Sequence, residues 1–244
     1  MIPYILFLAI ILAANIIQGI TGFAGTILAM PFSLMLVGYP VAKPVLNVLG
    51  LLSGIYVFAG NRNHVDWREL KKIVLWMAAG IVGGILIRGL FTGRESILYK
   101  LLGIFVIALA VQGLLSAFRS TEKVAKPESP ASVLLLPTAG VVHGIFVSGG
   151  PLLIGYLTKK ISDKSSFRAT ISTVWVFLNT LILLDDIRSG FWNLELLKIQ
   201  LISIPFLLAG MYIGGKLYAK MSQQLFMKIT YILLFISGVS LLVK

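Results

Sequence analysis

Met1–Ala42 reads MIPYILFLAIILAANIIQGITGFAGTILAMPFSLMLVGYPVA, a run without one charged side chain. As a single helix rising about 1.5 Å per residue it would be about 60 Å long, twice the hydrocarbon thickness of a bilayer. Its middle, Gly19-Ile20-Thr21-Gly22-Phe23-Ala24-Gly25 with Pro31 beyond, is rich in helix breakers. The stretch therefore predicts two helical halves folded back on a glycine-rich tip. A second stretch of the same kind runs from Ser129 to Thr158 and is broken at Ser148-Gly149-Gly150-Pro151.

Elsewhere, charges punctuate apolar runs of single-crossing length. Such runs lie between Lys43 and Arg62, Lys72 and Arg88, Lys100 and Arg119, Arg168 and Asp185, Lys198 and Lys216, and Lys228 and Lys244. Each is slightly shorter than the roughly 20 residues of a full span, and flanking Lys and Arg stems snorkel to make up the difference. Composition agrees: 58% of residues are hydrophobic, 12% are charged, and the mean hydropathy is +0.96. A soluble domain carries about 25% charged residues, so lipid is the expected solvent. The apolar amino terminus reads as a retained span rather than a cleaved signal.

The same counts exclude several functions. There is no cysteine, and His64 and His143 form no metal pair. No GxxxxGK[ST] loop is present. The net charge of +12 is spread over short gaps rather than a tail, which suits anionic headgroups and not nucleic acid. No acidic residue falls inside a clear apolar run. Asp185 and Asp186 read as a solvated loop at a span edge, and Trp67, Trp76, Trp175 and Trp192 as mostly interfacial. No enzyme constellation and no cofactor are expected.

The two broken stretches belong to a duplication. Gln18-Gly19 corresponds to His143-Gly144 and Lys43 to Arg168, both at an offset of 125. Glu69-Leu70 matches Glu195-Leu196, Gly83-Gly84 matches Gly214-Gly215, and Lys100 matches Lys228. If each broken stretch is a hairpin, the segments 62–72, 119–126, 159–168 and 216–228 share one face, with fourteen basic residues against seven on the other. That asymmetry follows the positive-inside rule. It makes each repeat odd in segment number, and hence inverted relative to the other. The expected fold is an all-α polytopic membrane protein of two inverted-topology repeats. Each repeat is a broken hairpin followed by three transmembrane helices, with 8 to 10 membrane segments in all. The divisions are 1–118, a polar linker 119–130, and 131–244.

In this order, Gln18 to Gly25 with Pro31, Val65-Asp66-Trp67-Arg68, His143-Gly144 through Gly149-Gly150-Pro151, and Phe167-Arg168-Ala169-Thr170 resemble the TauE/SafE sulfite-exporter (TSUP permease) family over essentially the whole chain. The resemblance implies a bacterial inner-membrane transporter of small sulfur-containing anions of the sulfite, sulfonate or sulfoacetate class. Lys43-Pro44 departs from the small and hydroxylated residues expected there. The alternatives are an anion channel and a non-transport membrane assembly factor.

An anion within a bilayer needs donors, and a broken helix exposes N–H groups carrying partial positive charge. Gly22, Gly25, Gly149 and Gly150 are the expected backbone cradle, set against the alternative of close helix packing. Asn15, Gln18, Thr21, Thr26, His143 and Ser148 stand beside the breaks, with His143 also able to titrate and couple transport to protons. Asn47, Thr170, Ser172, Thr173 and Asn179 form a second tier. Arg168 is the expected anion-binding cation, while Lys43 reads equally well as an interfacial anchor. The expected partners are a small anionic substrate and membrane lipids, with a homodimer compatible and no metal.

Overall fold

A computed structural model of the chain describes residues 2–87, 100, 103–104, 106–108, 110–111, 113–115, 130–146 and 149–242. Among them are nine α-helices with stated bounds and no strand. They are α1 (Ile2–Thr21), α2 (Ala24–Val37), α3 (Tyr39–Asn61), α4 (Trp67–Ile87), α5 (Pro130–Phe146), α6 (Gly150–Lys160), α7 (Lys164–Arg188), α8 (Leu194–Ala219) and α9 (Gln223–Leu242). The linker 119–129, part of the expected span between Lys100 and Arg119, and Ser148 lie outside the described residues. Among the described residues, six helices are long and apolar enough to cross a membrane: α1, α3 with its following 3₁₀ turn, α4, α7, α8 and α9. Their outer faces carry large apolar side chains, such as Leu75 at 70% and Leu86 at 78% exposure, that only lipid can solvate.

The chain breaks where its sequence says it should. α1 ends at Thr21 and α2 starts at Ala24, whereas Pro31 lies inside α2 without breaking it. α2 returns along α1: a Cβ built on Gly25 would stand 2.9 Å from the Ala14 carbonyl and 2.8 Å from the Gln18 Cβ. In the second stretch a Cβ on Gly149 would collide with the Ala139 carbonyl and stand 2.8 Å from the His143 Cβ. Ala14 and Ala139, like Gln18 and His143, are separated by 125 residues.

Contacts divide the chain into two compact units. One holds Met1–Leu70 and Arg168–Lys220, the other Lys71–Phe167 and Met221–Lys244. The units are therefore not the sequence halves, since each takes helices from both. In the first unit α1 crosses α8 through small residues. A Cβ on Gly19 would lie 3.0 Å from the Gly214 Cα, and one on Gly210 would lie 2.8 Å from the Asn15 Cβ. In the second unit α5 crosses α4 in the same manner, with Gly140 against Gly80 and Gly144 against Ile81. Lipid supplies no hydrophobic push between helices, so such backbone approach is how they gain dispersion contacts. Gly84 and Gly214 face these crossings, while Gly83 and Gly215 face open space. Gly84 thus corresponds to Gly214 at an offset of 130, rather than pair to pair at 131.

α3 and α7 are the most enclosed spans, with 61% and 67% of their apolar windows buried against 33% for α4 and α8. They run antiparallel. Asn47 donates to the Asn179 carbonyl at 3.1 Å, while Gly54 sits against Ser172 so closely that a Cβ would lie 2.6 Å from the Ser172 carbonyl. An offset of 125 turns one of these residue pairs into the other.

Local capping fixes several ends. The Asp66 Oδ1 accepts from the Arg68 and Glu69 N–H groups at the start of α4, and the Asn193 Oδ1 accepts from the Leu196 N–H at the start of α8. The Asp66 N–H donates to Thr170 Oγ1 at 2.9 Å, which joins the 62–72 segment to the start of α7 in the first unit. In the second unit the Lys164 N–H donates to Gln223 Oε1 at 2.7 Å, and Gln223 Nε2 donates to the Ser162 carbonyl.

Candidate functional site

At the first tip, Gly22 has φ +83°, a left-handed conformation that a side chain resists. A Cβ there would also stand 2.6 Å from Ser172 Oγ and 3.1 Å from the Arg168 carbonyl. This turn leaves the first N–H groups of α2 without helical partners. Thr21 Oγ1 accepts from the Phe23 N–H at 3.3 Å and the Ala24 N–H at 3.2 Å, and Gln18 Oε1 accepts from the Gly25 N–H at 2.8 Å. The expectation of bare amides at this tip is therefore corrected: short polar side chains of α1 already occupy them. Gln18 Nε2 in turn donates to the Gly22 carbonyl at 3.2 Å and to Ser53 Oγ at 3.1 Å. Ser53 is a contributor the sequence reading missed, one serine among many with nothing in its neighbours to mark it.

Arg168 is 5% exposed, and its Nε donates to the Gly19 carbonyl at 2.9 Å, in the last turn of α1. Its guanidinium carbon lies 4.4 Å from the centroid of the Tyr218 ring. Among the described residues it makes no ion pair with a carboxylate, and its terminal nitrogens make no hydrogen bond. Ser172 Oγ reaches the Gly22 carbonyl at 3.4 Å. Gln18, Thr21, Gly22, Gly25 and Arg168 thus gather at one break. Thr26 stands one turn along α2, where its Oγ1 would lie 3.3 Å from a Cβ on Gly50.

The second-tier residues are mostly committed to backbone. Thr170 Oγ1 takes the Asp66 N–H and Thr173 donates to the Ala169 carbonyl; of the residues expected beside the breaks, Asn15 likewise donates to the Ile11 carbonyl. Asn47 bonds the Asn179 carbonyl as described, while the Oδ1 atoms of both asparagines are buried without a partner among the described residues.

Gly149, Gly150 and His143 come together at the second tip, in the other unit. His143 is 4% exposed. α6 opens with Gly150 and Pro151, and Pro151 brings no N–H. Among the described residues no side chain bonds the Gly150 or Leu152 N–H.

Lys43 departs furthest from its expected role. It is neither an interfacial anchor nor an open cation: it is 1% exposed and donates to Asp186 Oδ1, with Asp185 Oδ2 at 3.9 Å. Asp186 is 0% exposed within α7, which corrects the reading of this pair as a solvated loop. The missed signal was Lys43 itself, a charge followed by a long uncharged run. A cation so placed within lipid needs a counter-charge. Trp175 is also buried rather than interfacial.

No curated protein and no solved structure matches this chain. A family model described as "Sulfite exporter TauE/SafE" matches residues 6–241 of the 244. With that coverage and six membrane-crossing helices, the chain is a multi-pass membrane protein that belongs to the TauE/SafE sulfite exporter family.

Proposed function

We propose that this protein is a secondary transporter. It moves small sulfur-containing anions of the sulfite, sulfonate or sulfoacetate class across the bacterial inner membrane by alternating access. The observation that carries the reading is Arg168, a buried guanidinium at a helix break with no carboxylate against it among the described residues. An isolated charge in a low-dielectric interior is costly, and a transported anion offsets that cost. A guanidinium held through Nε still presents its terminal N–H groups to an oxyanion, and sulfonate and sulfite oxygens suit that fork. Gln18, Thr21, Gly22 and Gly25 stand at the same break as Arg168, with Thr26, Asn47 and Thr170 as further polar contacts of the first unit; in the other unit His143, Gly149 and Gly150 are the candidates.

Inverted repeats support this mechanism. Antiparallel packing of the equivalent helices α3 and α7 is what a two-fold axis in the membrane plane produces, whereas parallel repeats give parallel equivalents. The Asp66–Thr170 contact supports a common face for the basic segments 62–72 and 159–168, and the Lys164–Gln223 contact does so for 159–168 and 216–228.

The test is a thermal-shift screen of purified protein against sulfite, methanesulfonate and sulfoacetate. A ligand that raises the melting temperature of the native protein and not of Arg168→Ala supports the reading. Equal stabilisation of both removes Arg168 from the site.

A further inference from the structure

We propose that Asn47, Asn179 and Thr26 form a sodium site between α2, α3 and α7, and that sodium bound there travels with the anion. The coupling rests on the transport reading above; the site itself does not.

Two buried oxygens in the first unit lack donors. Asn47 Nδ2 donates to the Asn179 carbonyl at 3.1 Å, and this bond fixes which end of the Asn47 amide is oxygen. The Oδ1 atoms of Asn47 and Asn179 have no partner among the described residues, although these residues are only 0% and 5% exposed. Buried amide oxygens are seldom left this way, because each forfeits the hydrogen bond that water would give it. Gly50, three residues on from Asn47 in α3, makes the room. A Cβ there would lie 2.7 Å from Asn179 Nδ2 and 3.3 Å from Thr26 Oγ1. The Asn179 amide of α7 and the Thr26 hydroxyl of α2 therefore meet over one missing side chain. Thr26 Oγ1 makes no hydrogen bond among the described residues.

Unpaired acceptors select a positive occupant. Amide and hydroxyl oxygens are hard ligands, and this set includes no thiol, imidazole or carboxylate. Divalent ions are held in such positions by carboxylates, so uncharged oxygens alone suit a monovalent ion. Carriers hold sodium near the bilayer midplane with uncharged oxygens of this kind. Lys43, one turn from Asn47, is paired with Asp186, so its charge does not stand open toward the site.

The site is tied to the break at which Arg168 stands. Thr26 follows Gly25, whose N–H is held by Gln18 Oε1 at 2.8 Å. Gln18 Nε2 donates to Ser53 Oγ at 3.1 Å, and Ser53 Oγ donates to the Gly50 carbonyl at 2.8 Å. A cation that draws Thr26 toward α3 and α7 therefore holds the start of α2 in the arrangement where Arg168 Nε reaches the Gly19 carbonyl. By reciprocal linkage, sodium and anion then strengthen each other's binding by the same factor. One sodium ion also cancels the charge of a monoanion, so the two cross together without working against the membrane potential.

Thermal unfolding of the purified protein in sodium, potassium and choline chloride at one ionic strength tests the site. The native protein should melt highest in sodium, and its melting temperature should climb with sodium concentration above the dissociation constant. Asn179→Leu keeps the branching of the side chain and removes both amide atoms, while Thr26→Val removes the hydroxyl. Replacing an unpartnered polar group by an apolar one of the same shape is nearly neutral for folding, so both variants should fold and both should lose the sodium-specific shift. A shift at the native level in either variant overturns the site. So does a native protein that melts alike in all three salts, with water alone satisfying these oxygens. In proteoliposomes, saturating sodium should lower the KM for methanesulfonate about tenfold in the native protein and leave it unchanged in the variants. Saturable native flux indifferent to sodium overturns the coupling. No saturable flux of methanesulfonate overturns the transport reading, while the melting series still decides the site.

Discussion

Gly25 lies against the Ala14 carbonyl and the Gln18 Cβ; Gly149 lies against the Ala139 carbonyl and the His143 Cβ. The two hairpin tips share this packing, with the alanines and Gln18/His143 125 residues apart and the glycines 124, yet their helix starts are finished differently. At the first, Thr21 and Gln18 accept from all of the Phe23, Ala24 and Gly25 N–H groups. At the second, a histidine and Phe146 take the sequence positions of the glutamine and threonine, and no described side chain reaches the Gly150 or Leu152 N–H. Backbone approach and amide capping are thus separable properties of a broken helix. Glycine placement sets the first, and the acceptors on the preceding helix set the second.

The sharpest way to break this comparison is to add a methyl group at each tip. Gly22→Ala forces a left-handed alanine, at about 1–2 kcal/mol, and drives its Cβ into Ser172 and the Arg168 carbonyl, at about 1–3 kcal/mol more. Gly149→Ala, at φ −71°, suffers the collision alone and should lose about 1–3 kcal/mol. Thermal unfolding in detergent ranks the two, and a smaller loss at Gly22 contradicts the asymmetry.

Removing the cap comes next in size. Gln18→Ala orphans the Gly25 N–H and removes the Nε2 donor to the Gly22 carbonyl and Ser53 Oγ, so unfolding should show a loss of about 1–2 kcal/mol. A loss within error would mean that water caps the first tip equally well.

His143→Gln installs at the second tip the residue that caps the first. If its carbonyl takes amides that an anion would use, sulfonate affinity should fall several-fold, about 1 kcal/mol, in a calorimetric titration. Unchanged affinity would remove the second tip from the binding site. The smallest effect belongs to Gly83→Ala and Gly215→Ala, whose Cβ atoms meet open space and should shift stability by no more than about 0.5 kcal/mol. Losses there as large as at Gly149 would show that any helical glycine matters, and the tips would lose their special status.

Much of this was legible in residue order. Met1–Ala42 is too long for one crossing and too glycine-rich at Gly19–Gly25 to stay helical, and the break falls at Gly22–Phe23. At the offset of 125, Ala14 and Gln18 pack against Gly25 as Ala139 and His143 pack against Gly149. Pairings across the fold were not legible, because burial is decided by which helices meet. Asp186 sits beside Asp185 and ahead of Ser189-Gly190, a pattern that reads as a solvated loop, yet its partner Lys43 is 143 residues away. The same limit hid the capping role of Gln18, since an amide near a helix break serves equally as ligand or as cap until its neighbours are placed. Arg168 stood out as a cation at a span edge, but the lack of a facing carboxylate needs coordinates to be seen.

The central claim is that this chain carries sulfur oxyanions one binding event at a time, with Arg168 as the charge they meet. Initial rates of labelled sulfite and methanesulfonate uptake into proteoliposomes, measured against concentration, test it most directly. The account predicts saturable uptake, mutual inhibition by the two anions, and at least about a tenfold loss of kcat/KM in Arg168→Ala, as expected for one charged hydrogen-bonding contact. Flux that rises linearly with concentration and appears as discrete conductance steps, or no flux of either anion, would contradict it.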